Sequence, residues 1–271
     1  MKIVLDGGHH PETAGKRAPD DSLREAQFNF QVAEYTREEL LTYEGVQVLF
    51  THDYGRDVPL VERTNKANEW DGDILVSIHA NAFGDGKTFN NVRGIETYSW
   101  NGPSPNGDRL AIEIQRKMME FTKHPSNRGH KQADFHMLRE FKRAAALVEC
   151  GFMTNREDLA LLKSDTYRKT CAKAITAAIV GVYNLTKIKE EPFMLERAIV
   201  INSAADYPVA EFLARFLKSP IHPRKNAEET QVAKEIFVVG GTQAGLKGTN
   251  FIVLSGENRF ETAAKVKAYI G

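Results

Sequence analysis

The sequence predicts an α/β fold with a mainly parallel, twisted sheet flanked by helices, followed by a smaller α/β unit. Over residues 1–186, short aliphatic runs alternate with longer stretches of helical spacing, a pattern typical of parallel strands joined by helices. The segment 187–193 interrupts the pattern with charges and a proline, which indicates a linker. The alternation resumes over 194–271. Because single cores rarely exceed about 250–300 residues, a chain of 271 residues fits two domains.

The elements of the first domain follow from the spacing of its apolar residues. Strands are predicted where aliphatic residues cluster between polar turns, at 2–5, 46–51, 74–79, 95–100, 136–139 and 146–150. Helices are predicted where apolar residues recur every three or four positions, at 23–42, 58–70, 107–122, 156–162 and 166–185. Ligands of open α/β sheets bind beyond the carboxyl ends of the strands, so we expect a functional site there.

The second domain repeats the pattern on a smaller scale. Its strands are predicted at 197–202, 236–239 and 251–254, and its helices at 207–217 and 259–270.

Charge and apolar content exclude several classes of function. Lys and Arg total 36, as do Asp and Glu, so no basic field exists to hold nucleic acid and we expect no nucleic-acid partner. No apolar run approaches the ~18–20 residues that span a bilayer, so we expect no membrane insertion. The first residues pass directly into Asp6 and two glycines, unlike a secretory signal, and we expect a protein that stays in the cytoplasm where it is made.

Two histidines and a glutamate indicate a metal site. His9 follows the first strand after two glycines, and His79 closes the third strand. With Glu25 they form the three N/O ligands of a hydrolytic zinc, which leaves one position for water. Glu25 also fits a helix-capping box with Ser22, and spacing alone favours that cap. Glu12 is a rival ligand, because residues 9–12 have the H-x-x-E form of zinc carboxypeptidases.

Glu149 stands at the end of the apolar run 144–148. A carboxylate there costs several kcal/mol in desolvation unless it is paired or lines a cleft. Beside a bound metal, it would take a proton from the attacking water and give it to the leaving nitrogen. The structural alternative is a carboxylate held by backbone amides or an arginine.

Five ordered blocks of the first domain resemble the zinc-dependent N-acetylmuramoyl-L-alanine amidases of the amidase_3 type, found in autolysins and phage endolysins. The blocks are 3–9 (IVLDGGH), 23–29 (LREAQFN), 60–64 (LVERT), 76–81 (VSIHAN) and 147–155 (LVECGFMTN). The resemblance implies that His9, Glu25 and His79 bind Zn²⁺ and that Glu149 is catalytic. It therefore replaces the capping interpretation of Glu25 and sets Glu12 aside.

The chain departs from the family pattern after the first ligand, where His10 replaces a common glycine. We expect His10 to face solvent in its loop. His136 begins the predicted strand before the last one, in a region similar to the family's cleft wall, so we expect it to line the cleft.

The second domain resembles cell wall binding repeat 2, a module of Gram-positive surface proteins. The similar stretches are 198–203 (AIVINS), 237–242 (FVVGGT) and 254–264 (LSGENRFETAA), with Asn258 and Phe260 in place of the usual aspartate and tyrosine. The resemblance implies an anionic secondary wall polymer as ligand, with Arg259, Lys265 and Lys267 as candidate contacts. The family has three such repeats and this chain has one, so we expect homo-oligomerisation through this domain.

These inferences together predict a catalytic domain at 1–186, a linker at 187–193 and a wall-binding domain at 194–271. The expected function is zinc-dependent cleavage of peptidoglycan between N-acetylmuramic acid and L-alanine. We expect a phage or prophage endolysin of a Gram-positive host, held in the host cytoplasm until lysis and then acting on the cell wall. The alternatives are a zinc carboxypeptidase acting on stem peptides and a non-catalytic wall-binding protein.

Overall fold

A computed structural model describes residues 1–188 and 194–271 of the chain. The chain forms two units, Met1–Ile188 and Lys189–Gly271, and each is described by itself. The first two residues of the predicted linker lie in the first unit, because Lys187 pairs with Tyr43 and the Ile188 amide donates to the Thr42 carbonyl. The rest of that linker, 189–193, is outside the described residues.

The first unit contains a six-stranded sheet. Its strands are β1 (Lys2–Gly7), β2 (Gln47–Phe50), β3 (Ile74–Asn81), β4 (Ile95–Trp100), β5 (Asn127–Ala133) and β6 (Ala144–Phe152). The spatial order is β2-β1-β3-β6-β4-β5. The strands β2, β1, β3 and β6 are parallel, whereas β4 is antiparallel to β6 and parallel to β5. The predicted mainly parallel α/β fold is therefore confirmed.

Helices cover both faces of this sheet. They are α1 (Glu25–Leu40), α2 (Leu60–Glu69), α3 (Pro105–Thr122), α4 (His136–Glu140), α5 (Arg156–Lys163) and α6 (Asp165–Tyr183). Residues of α1, α3 and α6 pack on one face with Ile3 and Leu5, while α2 and α4 pack on the other with Val4. Because successive strand residues point to opposite faces, a strand covered on both sides must be apolar throughout, as the interior of β1 is.

Two predictions in this unit are wrong. The predicted strand at 136–139 is the short helix α4, whose buried Met137 and Leu138 cover the sheet face beside Leu147. The edge position next to β4 belongs to β5, which was not predicted. The sequence of β5, NRGHKQA, contains one apolar residue, because an edge strand packs few side chains into the core.

The second unit is a four-stranded parallel sheet with the order β10-β9-β7-β8. Its strands are β7 (Leu195–Ile201), β8 (Ile221–Pro223), β9 (Ala233–Val239) and β10 (Phe251–Leu254). Helices α7 (Tyr207–Leu217) and α9 (Arg259–Ile270) pack on one face, and α8 (Arg224–Glu229) packs on the other. The three strands and two helices predicted here are present, while β8 and α8 were missed because they are only three and six residues long.

Within residues 1–188 and 194–271, every helix is too short or too polar to span a bilayer.

Candidate metal centre and active site

His9, Glu25 and His79 lie together at the carboxyl edge of the first sheet. Strands β1 and β3 are parallel neighbours, so their carboxyl ends lie at one edge of the sheet. His9 follows β1, His79 lies near the end of β3, and Glu25 is the first residue of α1. The His79 Nδ1 atom is 2.9 Å from Glu25 Oε1, and the His9 Nε2 atom is 3.4 Å from Glu25 Oε2. One ligand atom from each of the three residues lies within 4.8 Å of the others. Strand ends predicted that the two histidines would meet, whereas Glu25 was predicted as a ligand from the family resemblance.

The orientation of the His9 imidazole depends on the backbone conformation of His9 itself. His9 adopts a left-handed conformation, with φ of 64°, whereas the two preceding glycines do not. The glycines supply space instead: a Cβ on Gly7 would lie 2.6 Å from the Phe30 ring, and one on Gly8 would overlap the His79 imidazole. The left-handed turn is therefore made by His9, and the glycines leave room for the neighbouring rings.

Replacing Gly8 with alanine is expected to weaken metal binding by displacing the His79 imidazole. Groups that orient a metal ligand are worth about 10–100-fold in metal affinity, and we expect a loss of that size here. The measurement is competition for zinc between the purified protein and a chromophoric chelator. Gly181→Ala is the matched control, because a Cβ there makes only an ordinary contact at 3.7 Å. Equal zinc affinities in the two variants would contradict the role of Gly8.

Glu25 does not cap the helix it begins. The N-cap residue is Arg24, and its backbone amide donates to the Gln27 side chain at 3.1 Å. Glu25 Oε1 instead accepts from the Ala80 amide at 3.3 Å and from Asn29 Nδ2 at 3.2 Å. Asn29 also donates to the Gly8 carbonyl at 2.9 Å, so it ties the helix start to the turn before His9. The capping interpretation from spacing alone is wrong, and Gln27 has that role.

The three side chains shift one another's protonation. Burial lowers the pKa of His9 to about 4, although the charge of Glu25 opposes this. Burial also disfavours the charged form of His79, but its hydrogen bond to Glu25 and the charge of Glu25 outweigh burial and raise its pKa. For Glu25, burial is outweighed by the hydrogen bond and charge of His79, and the pKa is lowered. His9 is therefore a neutral imidazole beside a carboxylate, as metal ligands are.

Glu149 lies next to His79 across the sheet, because the two are register partners on β6 and β3. Both line a cavity of about 300 Å³ together with His9, Glu25 and Lys16. The Glu149 Oε2 atom is buried without a hydrogen-bond partner among the described residues. Burial raises the pKa of Glu149 to about 8; the positive charge of His79 opposes this, and the charges of Glu25 and Glu96 add to it. The alternative role for Glu149 was purely structural, with its carboxylate bound by backbone amides or an arginine. Among the described residues, no such group binds Oε2.

Three other candidates lie outside this cluster. Glu12 is exposed, and its backbone amide donates to His10 Nδ1 at 3.3 Å. His10 is only 8% exposed, which corrects the expectation that it faces solvent. His136 lies on α4, where its Nε2 is 3.2 Å from Thr64 Oγ1, and it is not among the residues that line the cavity. The expected cleft position of His136 depended on the strand that is absent.

A buried polar network beneath the cluster was not predicted. Asp6 lies on β1 beside Ser77 of β3, and Arg63 of α2 forms an ion pair with Asp6 at 3.0 Å. Burial alone would raise the pKa of Asp6, but Arg63 and the hydroxyls of Ser77 and Thr51 lower it. The sequence signal for this network was Asp6 at the end of the aliphatic run of β1 and Ser77 between the aliphatic residues of β3.

The fold and site together define an α/β enzyme with a two-histidine, one-glutamate candidate metal site at the carboxyl ends of its strands. Residues 3–180 match the amidase_3 family of N-acetylmuramoyl-L-alanine amidases. The amidase CwlM of Bacillus licheniformis is 34% identical over 191 residues, covering 69% of this chain and 70% of that protein. The chain belongs to the N-acetylmuramoyl-L-alanine amidase family and is a peptidoglycan amidase.

Two further comparisons agree with this assignment. The endolysin of Bacillus phage SPP1 is 28% identical over 185 residues, covering 68% of this chain and 67% of that protein. The crystal structure of an N-acetylmuramoyl-L-alanine amidase from Clostridium difficile 630 superimposes with a TM-score of 0.63 at 27% identity, covering 68% of this chain and 96% of that one.

Proposed function

We propose that this amidase is zinc-dependent and cleaves the amide bond between N-acetylmuramic acid and L-alanine, with Glu149 as its catalytic acid and base. The observation that carries the proposal is the convergence of His9, Glu25, His79 and Glu149 on one cavity. Two imidazoles and one carboxylate are a donor set that zinc hydrolases use.

The spacing of the donors fits such an ion. Tetrahedral zinc with ligands near 2.1 Å has donor atoms about 3.4 Å apart. His79 Nδ1 is 2.9 Å from Glu25 Oε1 and His9 Nε2 is 3.4 Å from Oε2, so each imidazole meets its own oxygen of the carboxylate. One donor atom from each of the three residues lies within 4.8 Å of the others, which is the range that a single ion can bridge. The carboxylate charge of Glu25 and the neutral imidazole of His9 also favour a cation.

Zinc, when bound, would polarise the scissile carbonyl and lower the pKa of water at the site. His9, Glu25 and His79 would hold the ion, and Asn29 donates to the Glu25 carboxylate and orients it. Glu149 Oε2, which has no hydrogen-bond partner within 1–188 and 194–271, would accept the proton of the attacking water. The same carboxyl group then donates that proton to the L-alanine nitrogen as the amide breaks. Charge from a bound cation would lower the pKa of Glu149 below its metal-free value and suit it to the first step.

Mass spectrometry of digested cell walls tests the reaction. The expected products are a muramic acid carboxylate and a stem peptide with a new N-terminal L-alanine. Release of a free C-terminal amino acid would instead indicate the carboxypeptidase alternative, which should require Glu12. Intact walls carrying bound protein would indicate a non-catalytic binder. Either of these outcomes refutes the proposal.

We also propose that the second unit binds an anionic secondary wall polymer. Support comes from the similarity of its strands to a wall-binding repeat and from Arg259, Lys265 and Lys267, which are exposed on α9. Because the chain has no net charge, binding should depend on a shaped site more than on a broad field.

Salt is accordingly expected to weaken wall binding only modestly. Raising it from about 0.1 M to about 1 M shortens the Debye length from about 10 to 3 Å, and we expect less than about a tenfold loss of affinity. The assay is sedimentation of the full chain with purified walls, before and after acid extraction of their anionic polymers. Undiminished binding to extracted walls would contradict the proposed ligand.

We further propose that copies of this chain associate through the second unit. Helix α7 exposes Phe212 and Phe216, which are 72% and 55% accessible and one turn apart. Analytical ultracentrifugation at micromolar concentration should show an oligomer that Phe212→Ser dissociates. The control Phe121→Ser, at an exposed phenylalanine of the first unit, should leave it intact. A monomeric wild-type chain refutes this proposal.

Finally, we propose an endolysin role in a phage or prophage of a Gram-positive host, supported by the similarity to the SPP1 endolysin. The enzyme would remain in the host cytoplasm until the membrane is breached and would then act on the wall. Host cells producing the chain should grow intact and lyse when their membrane is permeabilised. Enzyme appearing in the medium of intact cells would contradict this role.

A further inference from the structure

A chain of buried polar groups runs from Asp6 through Ser77 to the imidazole of His79. The Ser77 Oγ atom is 2.5 Å from Asp6 Oδ2, and the His79 Nε2 atom is 3.1 Å from Ser77 Oγ. Asp6 and Ser77 are register partners on β1 and β3, and they are 1% and 0% exposed. Solvent therefore does not compete for either hydrogen bond.

The direction of each hydrogen bond follows from the available protons. Asp6 is ion-paired with Arg63 and accepts the Thr51 hydroxyl at 2.6 Å, so it is a carboxylate and only accepts. The single proton of the Ser77 hydroxyl must then point to Asp6. Ser77 Oγ is left as an acceptor toward His79, which requires a proton on His79 Nε2.

The opposite nitrogen of the same ring faces the metal cluster. His79 Nδ1 is 2.9 Å from Glu25 Oε1, on the side that also holds His9. We propose that Asp6 and Ser77 are positioning residues that keep the proton of His79 on Nε2, so that Nδ1 is the atom that binds zinc. This inference rests on the proposed zinc site. A partner on the non-ligating nitrogen fixes both the tautomer and the ring orientation.

The same carboxylate also supports the other histidine. Arg63, held by Asp6, donates to the Gly7 carbonyl at 2.8 Å and to the His9 carbonyl at 3.0 Å. These bonds fix the backbone where His9 takes its left-handed conformation. One buried ion pair thus positions both imidazoles, through Ser77 on one side and through Arg63 on the other.

Asp6→Asn tests the proposal by reversing the polarity of this chain of groups. The asparagine oxygen is needed by Arg63 and Thr51, so its amide group faces Ser77 and donates to Oγ. The Ser77 proton then turns to His79 Nε2 and drives the imidazole proton onto Nδ1. We expect zinc affinity to fall about 10–100-fold, measured by chelator competition on the metal-stripped full chain.

Ser77→Ala removes the link altogether and should weaken zinc binding similarly, which decides the question if Asp6→Asn fails to fold. Thr51→Val is the matched control. This variant removes the buried Thr51 hydroxyl, which donates to Asp6 Oδ1 at 2.6 Å. The link to His79 starts from the other oxygen, Oδ2, which accepts from Ser77. Its zinc affinity should equal that of the wild type. Wild-type affinity in Ser77→Ala, or an equal loss in Thr51→Val, would overturn the proposal.

Nitrogen-15 NMR of histidine-labelled, zinc-loaded protein reports the tautomer directly. The His79 signals, assigned by their loss in His79→Gln, should show a protonated Nε2 and a metal-shifted Nδ1. A protonated Nδ1 overturns the inference while leaving the zinc proposal intact. A wild-type chain that binds no zinc refutes the proposed function, and this inference with it.

Discussion

Glutamine in place of Glu149 should abolish hydrolysis while zinc remains bound. The carboxyl group is the only member of the cavity cluster that is assigned to proton transfer rather than to the metal, and its Oε2 has no partner among the described residues. Glutamine keeps the shape and removes the proton acceptor. General acid–base catalysis contributes about 10²–10⁴-fold, so kcat should fall by at least that range with KM little changed. Release of soluble fragments from purified walls gives the rate, and atomic emission gives bound zinc.

Glu12→Gln is the control for this experiment. It makes the same chemical change at an exposed side chain on the neighbouring loop, and it should retain full activity. If Glu12→Gln is inactive and Glu149→Gln is not, Glu12 rather than Glu149 is the essential carboxylate. If Glu149→Gln keeps lytic activity with bound zinc, Glu149 is not the proton shuttle.

Elements with strong periodicity were predictable from sequence, and so was the meeting of His9 with His79. Both depend on local pattern and on the rule that parallel strands end at one edge. The edge strand β5 was not predictable from apolar content, because its residues pack little into the core. The four residues HMLR of 136–139 are too short to distinguish period two from period 3.6, so their helix was predicted as a strand.

The environment of individual polar residues required the folded chain. His10 has the sequence context of a loop, yet it is buried, because its loop folds back so that the His10 amide meets Thr13 Oγ1 at 2.9 Å. The link from Asp6 to His79 joins residues more than seventy positions apart in the chain. Such pairings depend on register between β1 and β3, which local pattern does not specify.

Glutamine in place of Glu25 should remove both zinc and activity, because it takes away the one anionic ligand of the proposed site. The Ala80 amide donates to Oε1, so the new amide group takes the position of Oε2 and directs its hydrogens toward His9 and the ion. Loss of one anionic ligand should weaken zinc binding by more than about 100-fold, since even groups outside the coordination sphere are worth 10–100-fold. Chelator competition measures the affinity, and wall digestion at added zinc measures the activity that remains.

The matched control is Gln27→Ala, which removes the side chain that caps α1. A cap is worth about 1 kcal/mol of stability, so this variant should unfold at slightly lower denaturant concentration and bind zinc normally. If Glu25 served only to hold the Ala80 amide and Asn29, the two variants would both lose some stability and would keep the same zinc content. A selective loss of zinc in Glu25→Gln is expected only if the carboxylate binds the metal. Normal zinc affinity in this variant would therefore remove Glu25 from the metal site.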